Sequence, residues 1–330
     1  MSESTRRVAI EDVSQVAEAR RMARNMAENL GFDEGKAEKV AIVATEVSTN
    51  ILKHAVRGEV LLGITDGCGL ELLALDQGPG MSNVEQCMRD GYSTGGSPGQ
   101  GLGAMARLAD ASDIYSVPGS GTAILARWSG RKADAKSALR VGGVNVSKLG
   151  QEVCGDSWGF QHTGDVFMFM VADGLGHGYE ASVASLEAVR ALRANPDTQP
   201  LALLDITHKA LRSSRGAAVA VARIDRMRGK LSFSGLGNVS AQIYSGATRS
   251  QHLVSGNGTA GHDAPKLREY SYPWPDDGML VMHSDGLSTQ TDVAARPRLA
   301  LHDPSVIAGV LYRDFQRGQD DATVVVAKAA

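Results

Sequence analysis

The chain reads as an α+β protein of two successive domains, and three observations predict this. It has 330 residues, and domains commonly run about 100–200. Hydrophobic residues make up 43% of it, enough for two separate cores. The pattern also changes midway. Long helical runs and hairpins up to Trp128 give way, after Ser137, to many short β-rich runs with helices between them.

Arg6 to Ile10 reads as a short strand, and Glu11 to Leu30 as a helix stopped by Gly31. Asp33 can cap a second helix, in which Val40, Val43, Val47 and Ile51 recur at helical spacing as far as about Val56. Glu59–Thr65 and Leu70–Leu75 flank Asp66-Gly67, a strong hairpin signal. Asp76 to Gly103 is rich in glycine and holds Pro79 and Pro98, so it reads as a long loop; such loops are usually lids or disordered. A helix from about Leu102 to Ala109 follows. The hairpin Ile114–Val117 and Thr122–Trp128 then closes the unit around Gly119-Ser120-Gly121. Ser129 to Ser137 is small, basic and polar, which reads as a linker. The expected limits are therefore 1–128, a linker at 129–138, and 139–330. In the second part, β-like runs recur at Val153, Val166–Ala172, Ala217–Ile224, Leu231–Gly235, Ala241–Tyr244, Gly278–His283 and Thr323–Ala327. Helices are expected at Glu180–Arg193, Pro200–Ser213 and Ser305–Phe315.

Composition narrows the function. The formal net charge is −3 and no Lys/Arg-rich run occurs, so nucleic acid is not an expected partner. Met1 to Arg7 is polar with no apolar stretch behind it, and the longest strongly apolar run, Val166 to Ala172, is too short to span a bilayer. No signal peptide and no membrane association are expected. Cys68, Cys87 and Cys154 form no CxxC pair or disulfide framework, which fits a cytoplasmic protein; each reads as a small buried hydrophobe.

In the second helix, Glu46 and Asn50 lie four residues apart and share a face, beside the apolar stripe of Val43, Val47 and Ile51. An amide oxygen can ligate Mg²⁺ and a carboxylate can take a proton from an attacking hydroxyl. Alone, the pair is most simply a solvated face. It is followed by Asp76-Gln77-Gly78-Pro79-Gly80 at a strand end, where an Asp can accept from the exocyclic amine of adenine. Then come Asp90-Gly91-Tyr92-Ser93-Thr94 and Gly99-Gln100-Gly101-Leu102-Gly103, the latter opening a helix whose free N–H groups suit phosphate. The spacing is neither a Walker A loop nor the dinucleotide fingerprint.

This ordered set resembles the GHKL ATPases. The Asp-Gly-Tyr-Ser-Thr and Gly-x-Gly-Leu-Gly motifs, with Arg107-Leu108-Ala109-Asp110, Gly119–Thr122 and Arg127-Trp128, are similar to the RsbT-type serine kinases, over residues 6–128. The resemblance implies a GHKL (Bergerat) ATP-binding α/β sandwich with ATP and Mg²⁺ as cofactors. It implies Glu46 as the base that activates a substrate serine, and Asn50 as the Mg²⁺ ligand. Asp76 would read adenine, with Gly78, Gly80 and Thr122 shaping the pocket, and Gly99, Gly101, Leu102 and Gly103 would hold the phosphates. Its substrates are STAS-type switch proteins. His54, one turn beyond Asn50, reads as a capping or packing residue.

The second part carries acids at strand ends beside glycines: Gly155-Asp156, Ala172-Asp173-Gly174-Leu175-Gly176, Ser284-Asp285-Gly286 and Asp320-Asp321-Ala322-Thr323. Asp-Gly commonly marks a turn. Here, however, apolar strands lead straight into Asp173 and, through His283-Ser284, up to Asp285. Carboxylates converging at the edge of a β-sandwich are hard ligands for Mg²⁺ or Mn²⁺, and two such ions can make water a nucleophile toward phosphoserine. The order, with Gly237-Asn238 between, resembles the SpoIIE/RsbX metal-dependent phosphatases over residues 139–328. That implies a PPM-type α-β-β-α domain binding two Mn²⁺ or Mg²⁺ ions. The implied ligands are Asp156, Asp173 as the bridge, the Gly174 carbonyl, Asp285 and Asp320; motif position alone prefers Asp320 to Asp321. His177 is a weak candidate for a general acid.

Together these readings predict a bifunctional kinase and phosphatase of a partner-switching pathway. Its partner would be a STAS-domain anti-sigma-factor antagonist or similar switch protein. Two alternatives stand beside it: a phosphatase regulated by an ATP- or partner-binding module that transfers no phosphate, and a non-enzymatic interaction protein. An intact Glu46 speaks against the first and the complete Asp set against the second.

Overall fold

The computed structural model describes residues 5–65, 68–88, 101–130, 138–246, 249–264 and 266–330. They form two compact units. One comprises Glu3–Lys136 with Pro297–Arg313, and the other Ser137–Arg296 with Asp314–Ala330. The limits expected from sequence are contiguous, whereas the packing units interleave.

The first unit is built on an antiparallel sheet of β1 (Arg6–Ala9), β2 (Gly58–Thr65), β3 (Gly69–Asp76), β4 (Ala111–Ser116) and β5 (Thr122–Trp128), in the order β1-β2-β3-β5-β4. Helices α1 (Val13–Asn29), α2 (Glu34–His54) and α4 (Gly101–Leu108) are joined by a single turn, α3 (Val84–Cys87). Asp12 and Gln15 form a capping box that starts α1, and the Asp33 side chain accepts from the Lys36 N–H to start α2. The apolar stripe read from the sequence is the one buried. Val40, Val43, Val47 and Ile51 pack with Val60, Leu62, Leu70, Leu72, Ile124 and Trp128 on one face of the sheet.

Period-two alternation sends the intervening residues to the other face. Leu73 stands opposite Leu61 on one side and Leu125 on the other, and Glu71 opposite Arg127. This face is covered by a segment far along the chain, Pro297–Arg313, which contains most of helix α7 (Pro304–Phe315). Gly309 lies so close to Leu73 and Leu75 that a Cβ there would overlap them. Every residue of α7 from Pro304 to Arg313 is buried.

The second unit holds two antiparallel sheets. The first has the order β13-β10-β9-β8-β7, from β7 (Asp156–Thr163), β8 (Val166–Gly174), β9 (Ala217–Asp225), β10 (Lys230–Leu236) and β13 (Tyr270–Pro273). The second has the order β12-β11-β14-β15-β6, from β6 (Leu139–Val146), β11 (Ser240–Ser245), β12 (Arg249–His252), β14 (Met279–His283) and β15 (Ala322–Ala329). Phe167, Phe169, Val171 and Ile224 of the first meet Ile243, Leu280, Met282 and Val325 of the second in one core. The opposite face of the first sheet, with Met168, Met170, Val219 and Val221, packs against α5 (Tyr179–Ala194) and α6 (Pro200–Ala210). Because β8 is buried on both faces, it reads as an unbroken apolar run.

Several expectations are corrected. Val153 lies outside any strand, and the strand begins three residues later at Asp156. Strands β6, β12 and β13 were not anticipated. In β6, Gly142-Gly143 dilutes the pattern, although Gly143 is needed where the Trp158 ring crosses close to its backbone. Only Cys154 is buried, while Cys68 and Cys87 are half-exposed. Among the described residues no helix is long and apolar enough to cross a membrane.

Candidate functional site

In the first unit, α2 carries Glu46 and Asn50 one turn apart, both half-buried, beside the core stripe. Asp76 ends β3. Its Oδ1 accepts from the backbone N–H of Gly78 at 2.7 Å and of Thr122 at 3.1 Å. Burial pushes this carboxyl's pKa up; the two N–H bonds and the charges of Arg313 and His54 pull against it. The Thr122 hydroxyl lies 2.9 Å from Ser116 Oγ, which also accepts from the Met81 N–H at 2.8 Å. The loop through Gly78 and Gly80 is thereby tied to the start of β5. Gly78 and Gly103 are buried, and Leu102 packs partly against the core in the first turn of α4, which begins at Gly101. Gly99 lies outside the described residues, as does the Asp90–Gln100 lid sequence.

In the second unit, strand pairing brings the acids together. Asp156, the first residue of β7, stands directly opposite Asp173 near the end of β8. Asp285 follows β14, and Asp320 and Asp321 precede β15, its ladder neighbour. Asp173, Asp285 and Asp320 line a pocket of about 460 Å³ with Leu175, Asn238 and Thr259. Asp156 and Asp321 are buried, and their charges act on Asp173. Gly174 is obligatory, because a Cβ there would strike the Ala181 backbone. The Asn238 side chain donates to Asp285 Oδ2 at 2.6 Å, and the Lys148 N–H donates to Asp321 Oδ1 at 2.8 Å.

The electrostatics test whether these residues suit a cation. Burial first, then the charges of Asp156, Asp285, Asp320 and Asp321, push Asp173 up to about 9. Burial, with the charges of Asp321 and Asp285, pushes Asp156 up to about 7, against bonds from Ser284 and Thr323. Asp156 Oδ2 and Asp321 Oδ2 are buried with no hydrogen-bond partner among the described residues. Mutually repelling carboxylates with orphaned oxygens are what a divalent cation relieves, and oxygen donors suit Mg²⁺ or Mn²⁺. No three such groups already close around one point among the described residues. The residue types and charges fit, and the ligand shell would draw in around the ions.

A family model described as Stage II sporulation protein E (SpoIIE) matches residues 163–330, slightly more than half of the chain. The chain belongs to the SpoIIE family. A second model, described as a histidine kinase-like ATPase domain, matches residues 10–128 of this SpoIIE-family chain. That part is 36% identical over 119 residues to the serine/threonine-protein kinase RsbT of Bacillus subtilis (strain 168), covering 34% of this chain and 88% of RsbT. It is an RsbT-type domain. The phosphoserine phosphatase RsbX of the same organism is 24% identical over 144 residues, covering 43% of this chain and 72% of RsbX. A solved chain from the bacterial stressosome, described as a modular system adapted to control secondary messenger signalling, superposes with a TM-score of 0.55 at 26% identity. It covers 58% of this chain and 100% of its own length. The expected fusion of a GHKL-like unit with a metal-dependent phosphatase fold is thus borne out.

Along the sequence Asn238 stands out only as part of the Gly237-Asn238 turn after a β-rich run, which assigns it no role. Asn257 and Thr259 of the pocket rim carried no signal. His177 is exposed and does not line the pocket.

Proposed function

We propose that the chain is a bifunctional cytoplasmic enzyme of a partner-switching pathway, which phosphorylates a STAS-domain regulator on serine or threonine and removes that phosphate again. The observation that carries it is the presence, in one chain, of an adenine-suited carboxylate at Asp76 and a carboxylate cluster around Asp173.

In the kinase unit, the free oxygen of Asp76 accepts from the adenine amine while its partner oxygen is pinned by Gly78 and Thr122. Asn50 would hold Mg²⁺ and Gly99, Gly101, Leu102 and Gly103 the phosphates. When bound, the ion neutralises charge on the transferring phosphoryl group. Glu46 takes the proton of the substrate hydroxyl as its oxygen bonds to the γ-phosphorus; the bond to the β-phosphate breaks and ADP leaves.

In the phosphatase unit, Asp156, Asp173, Asp285, Asp320 and the Gly174 carbonyl would hold two Mn²⁺ or Mg²⁺ ions. When bound, such a pair supplies Lewis acidity and lowers the pKa of water to near neutrality. Asp173 would serve both positions. Asn238 fixes one Asp285 oxygen and so turns the other toward the pocket. Hydrolysis returns serine and inorganic phosphate.

The test uses purified protein carrying Asp173→Asn, labelled ATP and candidate STAS-domain partners. Label should appear on the partner, vanish when Glu46→Ala is added, and be stripped by wild-type protein with Mn²⁺. No labelling of any partner, with phosphatase activity intact, would overturn the kinase half.

A further inference from the structure

Arg313, the last residue of α7 to pack with the first unit, is 5% exposed and donates from Nη1 to the backbone carbonyl of Asp76 at 3.0 Å. A Cβ at Gly121 would strike the same Asp76 carbonyl and come within 3.0 Å of Arg313 Nη1. Gly121 has φ +74 and immediately precedes Thr122, whose N–H holds the Asp76 carboxylate. The guanidinium therefore grips the outside of the turn whose inside presents Asp76. Its charge also favours the ionised form of that carboxyl, which burial disfavours.

We propose that Arg313 is a positioning residue of the nucleotide site, setting the place and charge of Asp76 for adenine recognition. This rests on the reading of the first unit as an ATP site. Two features separate this role from mere packing. The donor reaches the very residue assigned to adenine, and it does so at the backbone carbonyl, so its loss frees the β3 end to shift. Nothing in motif order pointed to it, because Arg313 lies 237 residues from Asp76 along the chain.

The experiment uses the full chain. Affinities for ATP and GTP are measured by titration with Mg²⁺ for wild type, Arg313→Ala, Arg313→Lys and Asp76→Asn. A charge-assisted hydrogen bond typically weighs enough that its loss weakens ATP binding roughly tenfold. GTP, which presents a carbonyl where adenine has its amine, should change little, so the ATP-over-GTP preference narrows. Arg313→Lys, which keeps a cationic donor, should recover most of the preference. Arg313→Ala placed on Asp76→Asn should add little further loss, since both act on one contact. Should Arg313→Ala fail to fold, Arg313→Met, of similar length and without a donor, carries the same test. Unchanged ATP affinity, or equal losses for both nucleotides, would overturn the proposal. Wild-type protein that binds no ATP would instead overturn the nucleotide reading beneath it.

Discussion

Asp156 and Asp173 are direct cross-strand partners in the β7–β8 ladder, two acids facing each other at the buried end of a sheet. Like charges directly opposite in a sheet destabilise it. Replacing one with an amide should therefore stabilise the metal-free protein while destroying the cation site. Asp173→Asn in chelator is expected to melt above wild type in chelator, by on the order of 1 kcal/mol. It should also lose the rise in melting temperature that Mn²⁺ gives wild type, together with phosphatase activity. Thermal melts with and without Mn²⁺ decide it, and a metal-free variant melting below wild type would sink the account.

Asn238 is exposed but its amide is committed to Asp285. Partners of metal ligands commonly contribute roughly 10–100-fold to metal affinity or activity. Asn238→Ala is expected to lower Mn²⁺ affinity within that range and leave ATP binding untouched. Activity measured against Mn²⁺ concentration should recover at high metal; failure to recover would mean that Asn238 acts on the substrate instead.

Only an ionised Asp76 keeps both oxygens as acceptors, Oδ1 for the Gly78 and Thr122 N–H groups and the other for the adenine amine. Its pKa is raised above the usual 3.8, chiefly by burial. ATP affinity should thus fall as pH is lowered, and begin to fall at a higher pH than an ordinary carboxylate would give. GTP serves as the control for titration of the phosphates, and Asp76→Asn should flatten the difference between the two. For stability the sign is opposite. A raised carboxyl favours the fold below its unfolded pKa, and that contribution is lost as pH rises through the folded value.

Arg127 donates to Glu71 Oε2 from Nε at 2.9 Å and Nη2 at 2.6 Å, and to Asp303 Oδ1 at 3.1 Å, while the Ser305 hydroxyl donates to Glu71 at 2.9 Å. Burial disfavours the Arg127 charge, but Glu71 and Asp303 outweigh it and raise its pKa. Removing the cation would leave two acids together. Arg127→Ala is expected to destabilise the first unit by roughly 3–5 kcal/mol. Urea unfolding measures it, and a loss below that expected for an exposed pair would mean that the network is solvated.

Much of this was legible along the chain because local rules and tertiary packing agree. Asp33 caps α2, and the Val40–Ile51 stripe is the buried one. The unbroken apolar run ending at Asp173 is a strand buried on both faces. Asp173, Asp285 and Asp320 come to one pocket. Other features left no local trace. In β6 the glycines hid a strand whose partner, β15, lies more than 170 residues on. The choice between Asp320 and Asp321 depends on which side chain faces the pocket, and adjacent acids do not reveal it. The packing of 297–313 was hidden too, since a helix buried all round shows no face that names its neighbour.

That segment has a consequence for synthesis. Chains emerge from the ribosome N-terminus first, and domains tend to fold in that order. Here the sheet begun by β1 stays uncovered on its Leu61, Leu73 and Leu125 side until α7 has been made, after nearly all of the phosphatase unit. The first unit is thus completed only after most of the second has been made. A ribosome that stalls before α7 releases neither a finished kinase nor a finished phosphatase, so the two opposed activities are delivered to the cell in strict one-to-one proportion.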